Sequence, residues 1–107
     1  MAAVTDTAIE IIKRYIAELA HHNIPVREAI LFGSYARGTV KEESDIDVAL
    51  ISNSFTGDRF ADRRAIVPFR RKIDNRIEPM PFRPEHFAEG GALADEIKRT
   101  GIRIEVQ

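Results

Sequence analysis

The chain has 107 residues, a net charge of −1 and no cysteine. This length is typical of one domain, so we predict that residues 1–107 form a single unit around one core. The near-neutral charge gives no general attraction to nucleic acid or membranes, and the lack of cysteine excludes disulfides and thiolate-bound metals.

The first third of the chain predicts a helix, a strand and a second, short helix. Apolar residues at helical spacing, with charged residues between them, indicate a first helix that ends near His21. Thr5, Asp6 or Thr7 would cap its start. The predicted elements are a helix from these caps to residues 21–23, a buried strand over 29–32 and a helix over 34–37 that Gly38 ends.

The rest of the chain continues to alternate strands and helices. Pro68 interrupts a helical pattern, so we predict a kink or a division into two pieces. Pro79 and Pro81 cannot donate hydrogen bonds to a ladder, so their strand lies at a sheet edge or ends early. The predicted elements are a polar loop over 39–44, strands over 45–51, 76–80 and 102–106, and helices over 60–73, 84–87 and 93–99. This alternation predicts an α/β or α+β fold, with a small mixed sheet flanked by helices.

The run of basic residues and the lack of targeting segments limit the classes of partner that we expect. Basic residues cluster between Arg63 and Arg76, where they could meet an acidic partner, RNA or a nucleotide. We favour a solvated helix face, because no aromatic residues interleave the run, and we do not expect nucleic acid as a direct ligand. The sequence has no signal-peptide pattern and no apolar stretch long enough for a bilayer, so we expect a cytoplasmic protein without membrane contact.

The most informative stretch joins Gly33-Ser34 to two carboxylates about ten residues later. Asp45 and Asp47 fall on a predicted strand, so their side chains should point to the same face. Two such carboxylates repel each other unless a cation lies between them. The Gly33-Ser34 turn offers backbone N–H groups to phosphate, and Arg37 either neutralises phosphate charge or is a solvated loop residue. The pattern indicates metal-assisted chemistry on a nucleotide.

The metal that suits this pattern is magnesium, which prefers oxygen ligands. Two ions about 3.5–4 Å apart suit the transfer of a phosphoryl or nucleotidyl group. A third acid is then expected from a neighbouring strand. Glu78 is the best candidate because it lies in the short strand, while Asp74 falls at a helix end, where a turn role is favoured.

Gly33-Ser34 followed by Asp45 and Asp47 resembles the signature of the nucleotidyltransferase superfamily. The likeness is greatest to the minimal nucleotidyltransferases, the small MNT proteins that include MntA-like antitoxins of HEPN/MNT toxin–antitoxin systems. It implies a polymerase-beta-like nucleotidyltransferase fold in which Gly33 and Ser34 hold the triphosphate of ATP. It also implies two Mg²⁺ ions bound by Asp45, Asp47 and Glu78, with Glu78 standing where the superfamily commonly has Asp.

The resemblance further implies an enzyme that transfers AMP from ATP to a hydroxyl group of a protein partner, with a tyrosine of a helical HEPN toxin as the expected acceptor. Asp45, Asp47 and Glu78 would be its catalytic residues. Since Glu78 is longer than Asp, one alternative is a weak or inactive nucleotide-binding antitoxin that neutralises its partner by binding. Another is transfer to a small molecule, for which relatives use a second domain or a dimer. A homo- or hetero-oligomer fits each of these functions.

Overall fold

The computed structural model describes residues 3–41 and 44–106. Its helices are α1 (Ala3–His21), α2 (Ser34–Arg37), α3 (Arg59–Ile66), α4 (Pro84–Glu89) and α5 (Ala92–Thr100), with a 3₁₀ helix over Val67–Lys72. Its strands are β1 (Glu28–Phe32), β2 (Ile46–Ile51), β3 (Ile77–Phe82) and β4 (Ile102–Ile104). Two residues of the predicted polar loop, 42 and 43, lie outside the described residues.

The four strands form one mixed sheet in the order β3-β2-β1-β4. β1 is antiparallel to β2 and β4, whereas β2 and β3 are parallel. Every residue of the central strand β2 is buried except the half-buried Asp47. A mixed sheet with flanking helices confirms the predicted fold class.

Two apolar layers cover the two faces of the sheet. Val48 and Leu50 pack with residues of α1 on one face. Ala49 and Ile51 pack with residues of α4 and α5 on the other. Because side chains alternate along a strand, Asp47 lies on the same face as Ala49 and Ile51. This carboxylate therefore lies beside the apolar layer that α4 and α5 cover.

The prolines divide and place the elements largely as predicted. The predicted helix over 60–73 is split, because α3 ends at Ile66 and a 3₁₀ helix with Pro68 near its start follows. β3 is an edge strand, but it does not end early and runs through both of its prolines. The carbonyls of Arg76 and Phe82 accept hydrogen bonds from β2 and from Ser52. Both prolines therefore face the free edge, where a missing N–H breaks no ladder bond.

Several predicted boundaries were wrong, among them that of the strand predicted over 76–80, which spans Ile77–Phe82. Asp45 was predicted inside a strand, but β2 begins at Ile46, and Asp45 precedes it with an exposed side chain that stays hydrated. The last strand ends at Ile104, since it pairs with only three residues of β1. The three candidate caps of the first helix lie inside α1, where the Thr5 hydroxyl donates to the Tyr35 carbonyl at 3.4 Å. Among the described residues, no helix is long and apolar enough to cross a membrane.

Candidate functional site

The turn at Gly33 joins β1 to α2 and lies directly against a carboxylate. Gly33 has φ +73° and ψ −149°, a conformation that only glycine adopts readily. A methyl group added at this position would lie 2.3 Å from Oδ2 of Asp47. The missing side chain of Gly33 therefore makes room for the Asp47 carboxylate, which sequence spacing alone does not reveal. Ser34, the next residue, is half-buried at the start of α2.

Asp47 lies in the middle of the candidate site. It pairs with Phe32 of β1 on one side and with Glu78 of β3 on the other. Burial raises the pKa of Asp47 above its ordinary range, and the charges of Asp45 and Glu78 raise it further, while Arg37 lowers it. Asp45 and Glu78 thus lie close enough to Asp47 to repel its charge, and Arg37 offsets part of that repulsion.

Glu78 has two arginine partners. Arg70 Nη1 lies 2.9 Å from one of its carboxylate oxygens, and Arg63 Nη2 lies 3.4 Å from the other. The same arginines also donate to the main chain of β3, Arg63 to the Pro79 carbonyl at 2.7 Å and Arg70 to the Ile77 carbonyl at 2.8 Å. These bonds satisfy acceptors at the free edge of the sheet and hold both guanidinium groups beside Glu78.

The arginines are the site residues that the sequence prediction missed. The basic run was interpreted as a solvated helix face, yet Arg63 and Arg70 turn inward toward β3. The sequence does contain one signal for cationic neighbours, which is a glutamate on a proline-containing edge strand. Such a glutamate lies near unpaired carbonyls, and both kinds of acceptor favour arginine or lysine. The sequence does not indicate which of the six basic residues would supply them.

Asp74, the rival third acid, lies in a turn and outside the carboxylate group. Its carboxylate accepts hydrogen bonds from the backbone N–H and the guanidinium of Arg76. The side-chain hydrogen bond from Arg76 is the main cause that lowers the pKa of Asp74. This agrees with the turn role that its position at a helix end favours.

The donor atoms of the site suit magnesium in part. Within residues 3–41 and 44–106, no group of three acidic or imidazole side chains is arranged to share one metal ion. Asp45 and Asp47 supply hard oxygen donors and excess negative charge, which suit Mg²⁺. Glu78 fits less directly, because both of its oxygens are paired with arginine. The fit therefore rests on Asp45 and Asp47, with Glu78 as a neighbour.

Comparison with known proteins gives a family-level result. Residues 9–101 match the family model of the nucleotidyltransferase domain. The fold is similar to that of a crystal structure described as a "putative nucleotidyltransferase" from Sulfolobus solfataricus, with a TM-score of 0.67 and 18% sequence identity. That similarity covers 94% of this chain and 82% of the other, and it concerns the fold alone. No curated protein matches the sequence.

Proposed function

The chain belongs to the nucleotidyltransferase domain family, and from that membership we propose that it transfers AMP from ATP to a tyrosine hydroxyl of a HEPN-type partner. In this function it is the antitoxin of a toxin–antitoxin pair. The supporting observation is the contact of the Gly33 turn with the Asp47 carboxylate, beside Asp45 and Glu78. That contact unites the two halves of the sequence motif in one place.

The reaction needs the acceptor oxygen, the α-phosphorus and the leaving oxygen in line, with their charge neutralised. The acceptor oxygen bonds to the α-phosphorus, the bond to the β-phosphate bridge breaks, and pyrophosphate leaves. Asp45 and Asp47 would hold magnesium, which supplies neutralisation of the phosphate charge. Gly33, Ser34 and Arg37 would contact the triphosphate, and the exposed guanidinium of Arg37 is free to follow it.

The acceptor proton needs a carboxylate that can receive it. Glu78 lies next to Asp47 in the register of the two parallel strands, so it is the candidate for that role. In the structure its two oxygens accept hydrogen bonds from Arg63 and Arg70. Glu78 would therefore have to give up one arginine before it could accept a proton from the tyrosine. The half-exposed carboxylate leaves space for a protein acceptor to reach it.

The test is labelling of the partner with α-³²P ATP. The native chain, incubated with magnesium and a candidate HEPN-type protein, should transfer label to that protein. The Asp45→Asn/Asp47→Asn variant should transfer none. Glu10→Gln is the matched control, because it neutralises an exposed carboxylate on α1 whose nearest cation is Lys13. Absence of labelling by the native chain, or equal labelling by the double variant, would contradict the proposal.

The arginine pairs of Glu78 favour a second candidate function, in which the chain neutralises the toxin by binding alone. Cells that produce the HEPN protein would then be rescued equally by the native chain and by Asp45→Asn/Asp47→Asn. Under the enzymatic proposal, the double variant should fail to rescue growth although it is produced and folded. Comparison of growth with circular dichroism of the purified variants separates the two functions.

A further inference from the structure

The outer edge of β4 is the second free edge of the sheet, opposite to the edge formed by β3. Within the described residues, β4 pairs on one side only, with β1. Along the segment, Ile102, Ile104 and Val106 are buried or half-buried, and Arg103 and Glu105 are exposed. We propose that this edge pairs with the same edge of a second copy of the chain, antiparallel and about a two-fold axis at Ile104.

The charge pattern selects this register. Directly opposite residues in an antiparallel pair share one face, so the position of the axis decides which residues oppose Arg103 and Glu105. An axis at Arg103 would place two arginines opposite each other, and an axis at Glu105 would place two glutamates together. With the axis at Ile104, Arg103 faces Glu105 of the second copy, and Ile102 faces Val106. Both charge pairs are then attractive, and the apolar pairs lie together on the other face.

The charges already present on β1 strengthen the argument. Glu28 accepts a hydrogen bond from the Arg103 guanidinium. Continuing the register of β1 and β4 past Ala29 and Ile104 would place Glu105 opposite Glu28. Like charges at opposite positions destabilise a sheet, which explains why β4 stops at Ile104. Arg103 of a second copy would lie against Glu105 and offset this local excess of negative charge.

Two concavities lie beside residues 102–106, and they suit the apolar and the charged side chains of a second copy. A groove of about 370 Å³ is lined by Ile16, Ala17 and Ala20 of α1 together with Val106, and Lys13 and Glu105 flank it. Another concavity of about 450 Å³ is lined chiefly by charged residues, including Arg27, Glu28 and Arg103. The apolar groove suits the Ile102 and Val106 side chains of the second copy, and the charged one suits its Arg103 and Glu105. The small side chains on α1 permit close approach.

The first test is the molar mass of the chain in solution, measured by sedimentation across a range of concentrations. The native chain should form a species of twice 12.1 kDa. Arg103→Glu and Glu105→Arg should each weaken the dimer about tenfold, since each reverses two symmetry-related pairs. The double variant should recover native affinity. Glu28→Gln is the control, because it removes the bond from Arg103 within one copy and leaves both charge pairs between the copies, so it should change the affinity far less than either charge reversal.

The second test uses the absence of cysteine from the sequence. Residues directly opposite in antiparallel strands have Cα atoms about 4.5–5.5 Å apart, within the range of a disulfide. A mixture of Arg103→Cys and Glu105→Cys chains should therefore cross-link on oxidation. Arg103→Cys alone should not, since its two copies would lie roughly 8 Å apart along the paired strands. A monomeric native chain, failed recovery in the charge-swapped double variant, or equal cross-linking of single and mixed samples would overturn the proposal.

The dimer through β4 and the proposed transfer of AMP can be refuted independently of each other. β4 and β3 lie at opposite edges of the sheet, so a dimer through β4 leaves Glu78 and its neighbours uncovered. Arg103→Glu should weaken the dimer and keep partner labelling, whereas Asp45→Asn/Asp47→Asn should keep the dimer and lose labelling.

Discussion

The close approach of Gly33 to Asp47 gives the sharpest quantitative prediction. Gly33→Ala should be far more destabilising than Gly38→Ala, although both glycines have positive φ and flank the same four-residue helix. At Gly38, with φ +76°, an added methyl group meets no atom within 4 Å, so the cost is the left-handed backbone penalty of about 1–2 kcal/mol.

Two costs add at Gly33. Its φ of +73° and ψ of −149° lie in a region that costs other residues about 1–3 kcal/mol. The added methyl group would also lie 2.3 Å from Oδ2 of Asp47. Forcing one extra carbon into such a site costs about 1–3 kcal/mol more. Gly33→Ala should therefore lower the free energy of unfolding by about 2–6 kcal/mol, which is roughly two to three times the effect of Gly38→Ala.

Thermal and urea unfolding measure this difference, at about 4–8 °C in Tm for each kcal/mol in a domain near 100 residues. A double-mutant cycle isolates the contact itself. In the Asp47→Ala background the clash with Oδ2 disappears and only the contact with Cβ at 3.3 Å remains, so the two substitutions should show a coupling of about 1–3 kcal/mol. Equal losses for the two glycine variants, or additive effects in the cycle, would refute the close contact as the reason for Gly33.

Three further predictions concern single side chains. The native state raises the pKa of Asp47 above its ordinary 3.8, so it holds that proton more tightly than the unfolded chain does. The free energy of unfolding therefore falls as the pH rises from the unfolded-state pKa to the native pKa. Asp47→Asn should remove this dependence of the free energy of unfolding on pH. Without magnesium at pH 7, the variant should also unfold at a higher temperature than the native chain. A lower unfolding temperature would contradict the assigned repulsion. Tyr15→Phe should cost about 1–2 kcal/mol in urea unfolding, because the buried hydroxyl donates to the Ile66 carbonyl at 2.7 Å and its loss leaves that acceptor without the bond; an unchanged midpoint would show that the bond contributes nothing. Asp62→Ala should cost about 3 kcal/mol, since the buried carboxylate accepts from the backbone and hydroxyl of Thr56 and from the Gly57 N–H; a loss below 1 kcal/mol, the size expected of a surface position, would count against it.

The backbone constraints of proline made much of the fold predictable from the sequence. Pro68 cannot continue an α-helix, and the structure changes there to a 3₁₀ helix. The two prolines of β3 restrict that strand to an edge, and the sheet order places it there. These predictions succeeded because the missing N–H of proline has the same consequence in any surroundings.

The limits of the remaining elements depend on contacts between distant parts of the chain. β2 begins at Ile46 because its N–H bonds to the carbonyl of Arg76, thirty residues away in the sequence. Thr5 was a candidate cap, but its hydroxyl donates to Tyr35 on α2 instead. Local patterns cannot supply such partners, so strand limits and caps were the least predictable features.

The same limit applies to Glu78, whose position on the sheet was predictable and whose partners were not. Arg63 and Arg70 each donate to a carbonyl of β3 as well as to Glu78. Both guanidinium groups would therefore keep a backbone anchor if the Glu78 carboxylate turned toward Asp47. The exchange removes no bond from the sheet edge, and it leaves two fixed positive charges beside the proposed phosphate site. Glu78 and its arginines are then separable parts, so Glu78→Gln should reduce transfer of AMP while leaving the anchored arginines, and the fold of β3, in place.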